Sequence, residues 1–440
     1  MAPAFHFHFI SMHYPWWYVP VLTAPMLIAF IAVIHVFVSH YAVGGGILLA
    51  LENQFAVKTG DKDYRDYLHR HARFFVLLTV AFGAITGVGI WWTIALTSPL
   101  ATEMLIRTFV FGWAIEWVFF IIEVTAAFIM YYQWTRLPEK THIIITWIYA
   151  LAAWISLVLI TGITAFMLDS RGLIADWSET GNFWHAFFNI QFLPQTVART
   201  GGALLLAALY VLLHAAWTFR NNNGGLLEKT VRRMSKPLIA GIVMVFAGVA
   251  WSFSLLPDAT LLNIERTVFL TILFTLFAGL SVLVTLMIVF GPIFNPKSVN
   301  VGFAVSIFIL SLTALSVAEF SREAVRKPWI VDRIVLGNQI YASEVTERQK
   351  TGFLTDTYFT KLPKDKLQLG GMVFMYHCNN CHAPDRGLSP AGLLVYGESK
   401  EKVKDKIRSL NVPVSSMPPW CGTENELDAL ADYLLSLRKI

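Results

Sequence analysis

The sequence predicts an all-α protein, a polytopic membrane helix bundle of about eight spans followed by a small α-helical domain. Composition gives the first indication: of 440 residues, 56% are hydrophobic and only 14% are charged, whereas a soluble domain carries roughly 25% charged residues. Eight apolar stretches are long enough to cross a bilayer. After the last of them the composition turns polar, and the chain closes with an amphipathic helical pattern.

The predicted spans follow from length, because a membrane helix takes about 20 apolar residues. The first stretch is too long for one simple span, and Pro20 and Pro25 within it suggest an interfacial or kinked entry. The eight stretches lie at 18–51, 74–97, 104–132, 143–168, 201–218, 238–256, 268–291 and 301–318.

The distribution of Lys and Arg predicts the orientation. The loops after the first, third, fifth and seventh stretches hold thirteen of these residues, and the alternate loops hold three, Arg171, Arg199 and Arg266. Because positively charged loops stay on the cytoplasmic side, both termini are predicted outside. The net charge of +5 therefore reports topology, and we expect no nucleic acid partner.

We divide the chain into four parts: an outer N-terminal segment (1–17), the bundle (18–318), a charged connector (319–345) and a soluble domain (346–440). The soluble domain ends with "GTENELDALADYLLSLR". Thr423 and Glu426 have the spacing of a capping box ahead of an amphipathic helix. This pattern predicts a closing helix for the domain.

The soluble domain contains "HCNNCH", with Cys378, Cys381 and His382 in the C-x-x-C-H order that attaches c-type haem. The thiols bind the vinyl groups, and the histidine is an axial ligand of the iron. The alternatives are a zinc half-site, which needs two more Cys or His ligands nearby, and a redox dithiol, which lacks its usual βαβ context. Met417 lies 35 residues after His382 in "SSMPPWCG" and is the expected second axial ligand.

Residues 360–440 resemble class I monohaem cytochromes c through this spacing and the Met–Pro–Pro sequence before the last helix. The resemblance implies one covalent haem c. Met/His ligation suits electron transfer rather than ligand binding. Around this motif we expect His377 at the surface and Cys421 as a small packed residue.

Ionisable groups inside membrane spans are costly and are candidates for function. The first span carries His35 and His40. The third carries Glu116 and Glu123, seven residues apart and so nearly in line on one helix face. They are expected to line a proton path, ligate a metal, or both. Glu319 and Arg322 after the eighth span are further candidates. The N-terminal histidines could bind a metal, but an exposed or interfacial segment is the favoured interpretation (His6, His8 and His13). Three histidines at the inner face are predicted to be solvated (His69, His71 and His142).

Three segments resemble subunit I of cytochrome bd-type quinol oxidases: "LENQFAVKTGDKDYRDY" (51–67), "AIEWVFFIIE" (114–123) and "AEFSREAVRKPW" (318–329). The resemblance covers 18–329 and implies haem b, haem d or both in the bundle. It also implies a bacterial inner membrane protein with at least one further membrane subunit. With the orientation above, the haem c domain lies on the periplasmic face.

The resemblance also implies roles for individual residues. His35 best matches the family's first-helix ligand of haem d, with His40 as its competitor. Glu116 matches a glutamate at the same haem, and Glu123 matches one that delivers protons, although the spacing here is one residue shorter. Glu319 matches the ligand of the high-spin haem b. Arg322 matches an arginine that lies beside the propionates of that haem. After Arg322 this sequence contains an insertion relative to the family.

The departures from the family are equally specific. Where the family has the two ligands of its low-spin haem b, this sequence has Thr200 and Val268. His214, further along the fifth span, is a possible substitute. The quinol-binding loop shrinks to "PDATLLNIER", and the ninth span is replaced by the soluble domain.

These observations predict a membrane-bound haem oxidoreductase of a respiratory chain. Its haem c would exchange electrons with an external donor or acceptor, such as a soluble cytochrome or a periplasmic redox subunit, and O₂ reduction is one possible outcome. A second hypothesis is a non-catalytic electron-transfer and anchor subunit of a larger respiratory complex. A third is a tethered cytochrome c whose bundle is only an anchor, which leaves the buried carboxylates unexplained.

Overall fold

The computed structural model describes residues 17–19, 21–221, 225–355, 361–387, 389–410 and 416–437. His6, His8 and His13 lie outside the described residues. The chain forms two compact units. One is the membrane bundle, formed by Ala29–Trp91 and Leu105–Arg326. The other consists of 1–28, 92–104 and 327–440.

The described residues contain eight helical segments long and apolar enough to span a membrane, which confirms the predicted number. We number them as spans one to eight. They are Ala24–Thr59, Lys62–Thr97, Val110–Tyr132, Glu139–Leu168, Phe192–Thr218, Leu226–Ser254, Val268–Ile293 and Val301–Val325. With an even number of spans, the start of span one and the end of span eight lie on the same side of the membrane.

Several helices are longer than the apolar stretches that predicted them. Span two begins at Lys62 as an amphipathic helix, passes through a π-helical turn at Leu77–Phe82 and ends at Thr97. Its charged first turns hid this start from a hydropathy criterion. Span five begins at Phe192, so Arg199 lies within a span and not in a loop as predicted. Span eight continues to Val325 and includes Glu319 and Arg322.

Small residues allow close packing inside the bundle. A Cβ atom on Gly201 of span five would lie 2.9 Å from the carbonyl oxygen of Gly241 in span six. A Cβ atom on Gly44 of span one would lie 2.0 Å from the carbonyl oxygen of Ala203 in span five. Membrane helices associate through such close backbone approach, so spans one, five and six share a tight seam. The shorter bundle elements are Trp177–Thr180, Phe183–Phe187, Asp258–Arg266 and the 3₁₀ turn Pro296–Ser298.

The second unit contains the predicted soluble domain. Its strands, Trp329–Val331 and Val335–Leu336, pair antiparallel. Its helical elements are Ala342–Glu344 (3₁₀), Val345–Thr351, Lys366–Val373 continuing as the π turn Phe374–Cys378, Ala391–Leu394, Lys400–Arg408 and Glu424–Ser436. The helix Pro99–Thr108 belongs to this unit as far as Met104. The last helix has the predicted capping box of Thr423 and Glu426.

The first and last long helices of this domain cross at a glycine. A Cβ atom on Gly370 would lie 2.1 Å from the carbonyl oxygen of Ala429. Next to this crossing, the rings of Phe374 and Tyr433 lie 5.5 Å apart. The crossing places the turn that follows Phe374, with Cys378 at its end, directly beside the closing helix.

The same unit includes the entry to span one and the end of span two. The backbone nitrogen of Trp17 donates to the carbonyl oxygen of Leu96 at 2.7 Å. The side-chain oxygen of Gln339 accepts from the backbone nitrogen of Leu100 at 3.2 Å. A Cβ atom on Gly387 would lie 2.3 Å from the carbonyl oxygen of Val21. The soluble domain therefore packs against membrane-proximal segments of its own chain.

Candidate functional site

The C-x-x-C-H segment forms a tight helical turn. The backbone nitrogens of Cys381 and His382 both donate to the carbonyl oxygen of Cys378, each at 3.0 Å. The two cysteines and the histidine are half-buried. The turn thus holds both thiols and the imidazole on one short stretch of backbone.

His382 is oriented by a backbone group. Its Nδ1 lies 3.0 Å from the carbonyl oxygen of Ser389. Because a carbonyl only accepts, Nδ1 carries the hydrogen in this contact and Nε2 is left as the ligand nitrogen. Burial lowers the pKa of His382, which keeps the imidazole neutral and fit to bind iron. The donor set therefore fits a haem c.

The thiols do not fit the two alternatives. Burial raises the pKa of Cys378 to about 12, whereas a reactive dithiol needs a lowered pKa. Within the described ranges, no group of three or more His, Cys, Asp and Glu side chains is arranged to hold a metal ion, so a zinc site lacks its further ligands. Met417 is 38% exposed. Its role as axial ligand stays a prediction.

His377 is not at the surface, and that prediction was wrong. It is 5% exposed, with its ring 4.9 Å from those of Phe353 and Trp420. Its Nε2 lies 3.3 Å from Sγ of Cys421, which is fully buried as predicted. Burial lowers the pKa of His377 to about 4. Two aromatic rings supply enough apolar surface to bury a neutral imidazole.

Glu319 lies in a buried charged cluster in the bundle. Its Oε2 accepts from Nε and Nη2 of Arg322 at 3.0 and 2.8 Å. Arg199 of span five and His40 of span one both interact electrostatically with this carboxylate. Sequence reasoning missed Arg199, although an arginine directly before an apolar stretch was an available signal. The cluster combines one carboxylate, two guanidinium groups and an imidazole from three spans.

The structure brings His40, and not His35, to this cluster. His40 donates from Nδ1 to the carbonyl oxygen of Val36 at 3.1 Å, so its Nε2 carries the lone pair of the ring. A Cβ atom on Gly202 would lie 3.6 Å from the His40 ring. His35 points instead to span two, where its Nδ1 lies 3.1 Å from Oγ1 of Thr86. Five residues on a helix rotate the two imidazoles to different faces.

Glu116 and Glu123 share a helix face, and both contact span four. Oε1 of Glu116 accepts from the hydroxyl of Ser156 at 2.8 Å. Oε1 of Glu123 accepts from the hydroxyl of Tyr149 at 3.1 Å. Spans three and four, which run antiparallel, are thus joined by two hydrogen bonds two helical turns apart. This arrangement makes a row of polar groups between spans three and four.

Thr200 and Val268 stand at the two positions where the sequence resemblance predicts that low-spin haem ligands are missing. The hydroxyl of Thr200 accepts from Nε1 of Trp154 at 3.2 Å. Val268 is 73% exposed at the start of span seven. His214 lies four residues from the end of span five, and its Nδ1 faces that of His71 at 3.1 Å.

The prediction that His71 and His142 are solvated was wrong. His142 is fully buried, with Nδ1 accepting from the side-chain amide of Asn53 at 3.0 Å and Nε2 donating to the carbonyl oxygen of Met130 at 2.8 Å. His71 is 1% exposed. Polar partners from other spans, invisible in the sequence, bury these imidazoles. His69 is half-buried, and its ring stacks on that of Trp134.

A charged group at the same end of the bundle was also missed. Glu52 of span one accepts from the hydroxyl of Tyr64 at 2.9 Å and pairs with Arg233 of span six. The guanidinium of Arg233 lies 3.3 Å from the centre of the Phe55 ring. These contacts tie spans one, two and six together at the end opposite the termini.

Comparison with known families identifies the bundle. Residues 24–256, just over half of the chain, match the family described as cytochrome bd terminal oxidase subunit I. The chain belongs to this family. No curated protein matches it. Among solved structures, the bd oxidase from Geobacillus thermodenitrificans matches with a TM-score of 0.62 and 18% identity, covering 71% of this chain and 88% of that one.

Membership in the bd oxidase subunit I family has direct consequences. The chain is a multi-pass bacterial membrane protein with membrane haems. It is a membrane haem oxidoreductase of the respiratory type, and bd oxidases are complexes with other membrane subunits. The matched region ends at residue 256, two residues after the end of span six (Leu226–Ser254). The soluble domain lies outside it.

Proposed function

We propose that this bd oxidase subunit I relative exchanges electrons with an external redox protein through a covalent haem c on Cys378 and Cys381. The observation that carries the proposal is the His382 contact. The Ser389 carbonyl fixes Nδ1 of His382 as the donor and leaves Nε2 as an iron ligand, on the same turn as both thiols. A C-x-x-C-H sequence is stronger evidence for haem attachment when its histidine is held in the tautomer that can bind iron.

In the bundle, the residues that would hold membrane haem are His40 or His35, Glu319 and Glu116. Arg322 and Arg199 would hold the Glu319 carboxylate in its charged form and attract haem propionates. When bound, haem supplies one-electron transfer and, with an open coordination position, O₂ chemistry. Gly202 beside the His40 ring provides space that a side chain would fill.

Glu123 is the proposed proton donor to this region. It is linked to Tyr149 of span four and lies two turns from Glu116 on the same face. In the oxidase version of the proposal, O₂ would be reduced to water, Glu123 would supply protons, and a haem held by Cys378, Cys381 and His382 would provide the route for electrons. The termini and the haem c domain lie on the periplasmic face, and a further membrane subunit completes the complex.

Haem content and redox spectra test this proposal. The purified protein should show a c-type band together with b-type or d-type features in a reduced-minus-oxidised spectrum. Cys378→Ala combined with Cys381→Ala should remove the c-type band and leave the membrane haem. Cys421→Ala is the matched control, a buried cysteine of the same domain outside the attachment motif. If well-folded protein contains haem c and no other haem, the proposal that the bundle acts as an oxidoreductase is overturned.

A second candidate is an electron-transfer and anchor subunit without catalysis of its own. The observation that favours it is the absence of ligand side chains at Thr200 and Val268, one hydrogen-bonded to Trp154 and the other largely exposed. O₂ consumption with a reduced external donor separates the two candidates. Steady turnover supports the oxidase. No turnover in protein that contains all its haems supports the electron-transfer and anchor subunit.

The anchor-only hypothesis makes a different prediction about the buried carboxylates. If the protein is an oxidase or an electron-transfer subunit, Glu116→Ala and Glu319→Ala should remove membrane haem. If the bundle is only an anchor, both substitutions should leave the haem content of the protein unchanged. Extraction of noncovalent haem followed by mass spectrometry gives the answer directly.

A further inference from the structure

Two histidines and a tyrosine form a hydrogen-bonded chain in the half of the bundle away from the termini. Oη of Tyr41 lies 3.0 Å from Nε2 of His71. Nδ1 of His71 lies 3.1 Å from Nδ1 of His214. The three residues come from spans one, two and five. None of the three is among the residues that we propose to hold membrane haem, and none belongs to the glutamate row between spans three and four.

The surroundings hold this chain in place. The ring of His214 lies between those of Tyr67, 5.5 Å away, and Phe74, 5.7 Å away, and both are nearly parallel to it. Tyr67 directs its own hydroxyl to the carbonyl oxygen of Val211 at 3.1 Å, so it stays outside the chain.

The neighbouring polar groups define the two ends of the chain. Tyr210 stacks on Tyr41 at 4.1 Å, and Arg70 is a charged group that interacts electrostatically with His214. His71 is buried, while His214 is half-buried. The chain therefore has an open end at His214 and an enclosed end at Tyr41.

The geometry is consistent with two opposite orientations of the same hydrogen bonds. In one, His214 donates from Nδ1 to Nδ1 of His71, and His71 donates from Nε2 to Tyr41. In the other, Tyr41 donates to Nε2 of His71, and His71 donates from Nδ1 to His214. Each imidazole has one donor and one acceptor nitrogen in both orientations, so no bond is lost when the direction reverses.

We infer that His214, His71 and Tyr41 form a proton relay into the bundle from the face opposite the termini. A proton binds to Nε2 of His214, and the Nδ1 proton of His214 moves to Nδ1 of His71. The Nε2 proton of His71 moves to the Tyr41 hydroxyl, which releases its own proton to water inside the bundle. One proton enters, one leaves, and the chain is left in the opposite orientation.

The enclosed end of the relay lies on the same span as one proposed membrane haem ligand. Tyr41 directly follows His40 on span one, and the imidazole of His40 belongs to the Glu319 cluster. This inference rests on the proposed function, because the protons are consumed only if the bundle carries out reduction chemistry. It adds an entry separate from the glutamate row of spans three and four.

The test compares His71→Gln and His214→Gln with His69→Gln, a histidine of the same helix outside the chain. In protein that retains its membrane haems, proton uptake after mixing the reduced protein with O₂ is followed with a pH-indicator dye. Both relay variants should take up protons roughly 10²-fold more slowly, as expected for the loss of a positioned proton-transfer group. The His69→Gln control should match the unsubstituted protein. Uptake at the unsubstituted rate in both relay variants, with haems intact, would overturn the relay.

A second measurement does not depend on haem or turnover. Solid-state NMR of protein labelled with ¹⁵N-histidine should show a coupled Nδ1–H···Nδ1 pair, which disappears in His71→Gln and in His214→Gln and persists in His69→Gln. Absence of the coupled pair in the unsubstituted protein would overturn the inference by itself. Protein that shows the pair but contains no membrane haem would overturn the proposed function and leave the pair established.

Discussion

The buried carboxylate of Glu426 links the start of the closing helix to residues 353–354 of the soluble domain. We predict that its substitution destabilises this region. Its carboxylate is 5% exposed and accepts four hydrogen bonds. Oε1 accepts from the backbone nitrogen of Leu354 at 2.9 Å. Oε2 accepts from the backbone nitrogens of Phe353 and Thr423 at 2.9 and 2.8 Å and from the Thr423 hydroxyl at 3.0 Å.

Glu426→Gln keeps the shape and loses part of this set. The amide oxygen can replace Oε2, but the amide NH₂ then faces the buried N–H of Leu354. One orphaned N–H costs about 1–3 kcal/mol, and the remaining bonds lose the strengthening that a charged acceptor gives. The expected loss is about 3 kcal/mol, equal to roughly a 100-fold fall in hydrogen-exchange protection. Glu426→Ala, which orphans all the donors, should lose more.

Hydrogen exchange with mass spectrometry on the full chain measures this locally, in peptides covering residues 345–355 and 420–437. Glu424→Gln is the matched control, because that side chain lies on the same helix, is 69% exposed and pairs with Arg408 at the surface. Protection within about threefold of the unsubstituted protein in Glu426→Gln, or an equal loss in Glu424→Gln, would refute the reasoning.

Three further predictions concern His377, the first-span histidines and the glutamate row. The folded-state pKa of His377, about 4, lies below the unfolded value of 6.5, so the unfolded chain binds the proton more readily. The stability of the domain should be full above pH 6.5 and fall by roughly 3 kcal/mol toward pH 4, and denaturant titrations of His377→Gln should lack this component. His40→Ala should lower membrane haem content at least several-fold while His35→Ala retains most of it; the opposite order in a pyridine haemochrome assay would assign the ligand to His35. Tyr149→Phe removes the hydrogen bond to Glu123 and should slow turnover about tenfold without changing the haem spectra. Unchanged turnover would show that proton delivery by Glu123 does not need this hydrogen bond.

Much of the architecture could be predicted from the sequence, because membrane insertion depends on local quantities. The length and hydropathy of each stretch are sufficient to count eight spans, and the Thr423–Glu426 spacing is sufficient to place a helix start. The ends of the helices were less accurate. Span eight extends past Glu319 and Arg322 because the two side chains neutralise each other one turn apart, so charges that look like a connector belong to the helix.

The partners of the polar side chains were decided only by the tertiary structure. From the sequence, His35 was the preferred haem ligand and His40 its competitor, and His71 and His142 were predicted to be solvated. Helix rotation separates the first two, and contacts with Tyr41, Asn53 and other distant residues bury the others.

The sequence by itself determined the helical membrane class, the number of spans and the C-x-x-C-H turn, since each depends on residues close together in the chain. The tertiary structure decided that Arg199 joins Glu319, that Ser389 holds His382 and that His71 meets His214. The partners of these contacts lie between 7 and 143 residues apart, and hydropathy carries no information about which faces of two distant helices meet.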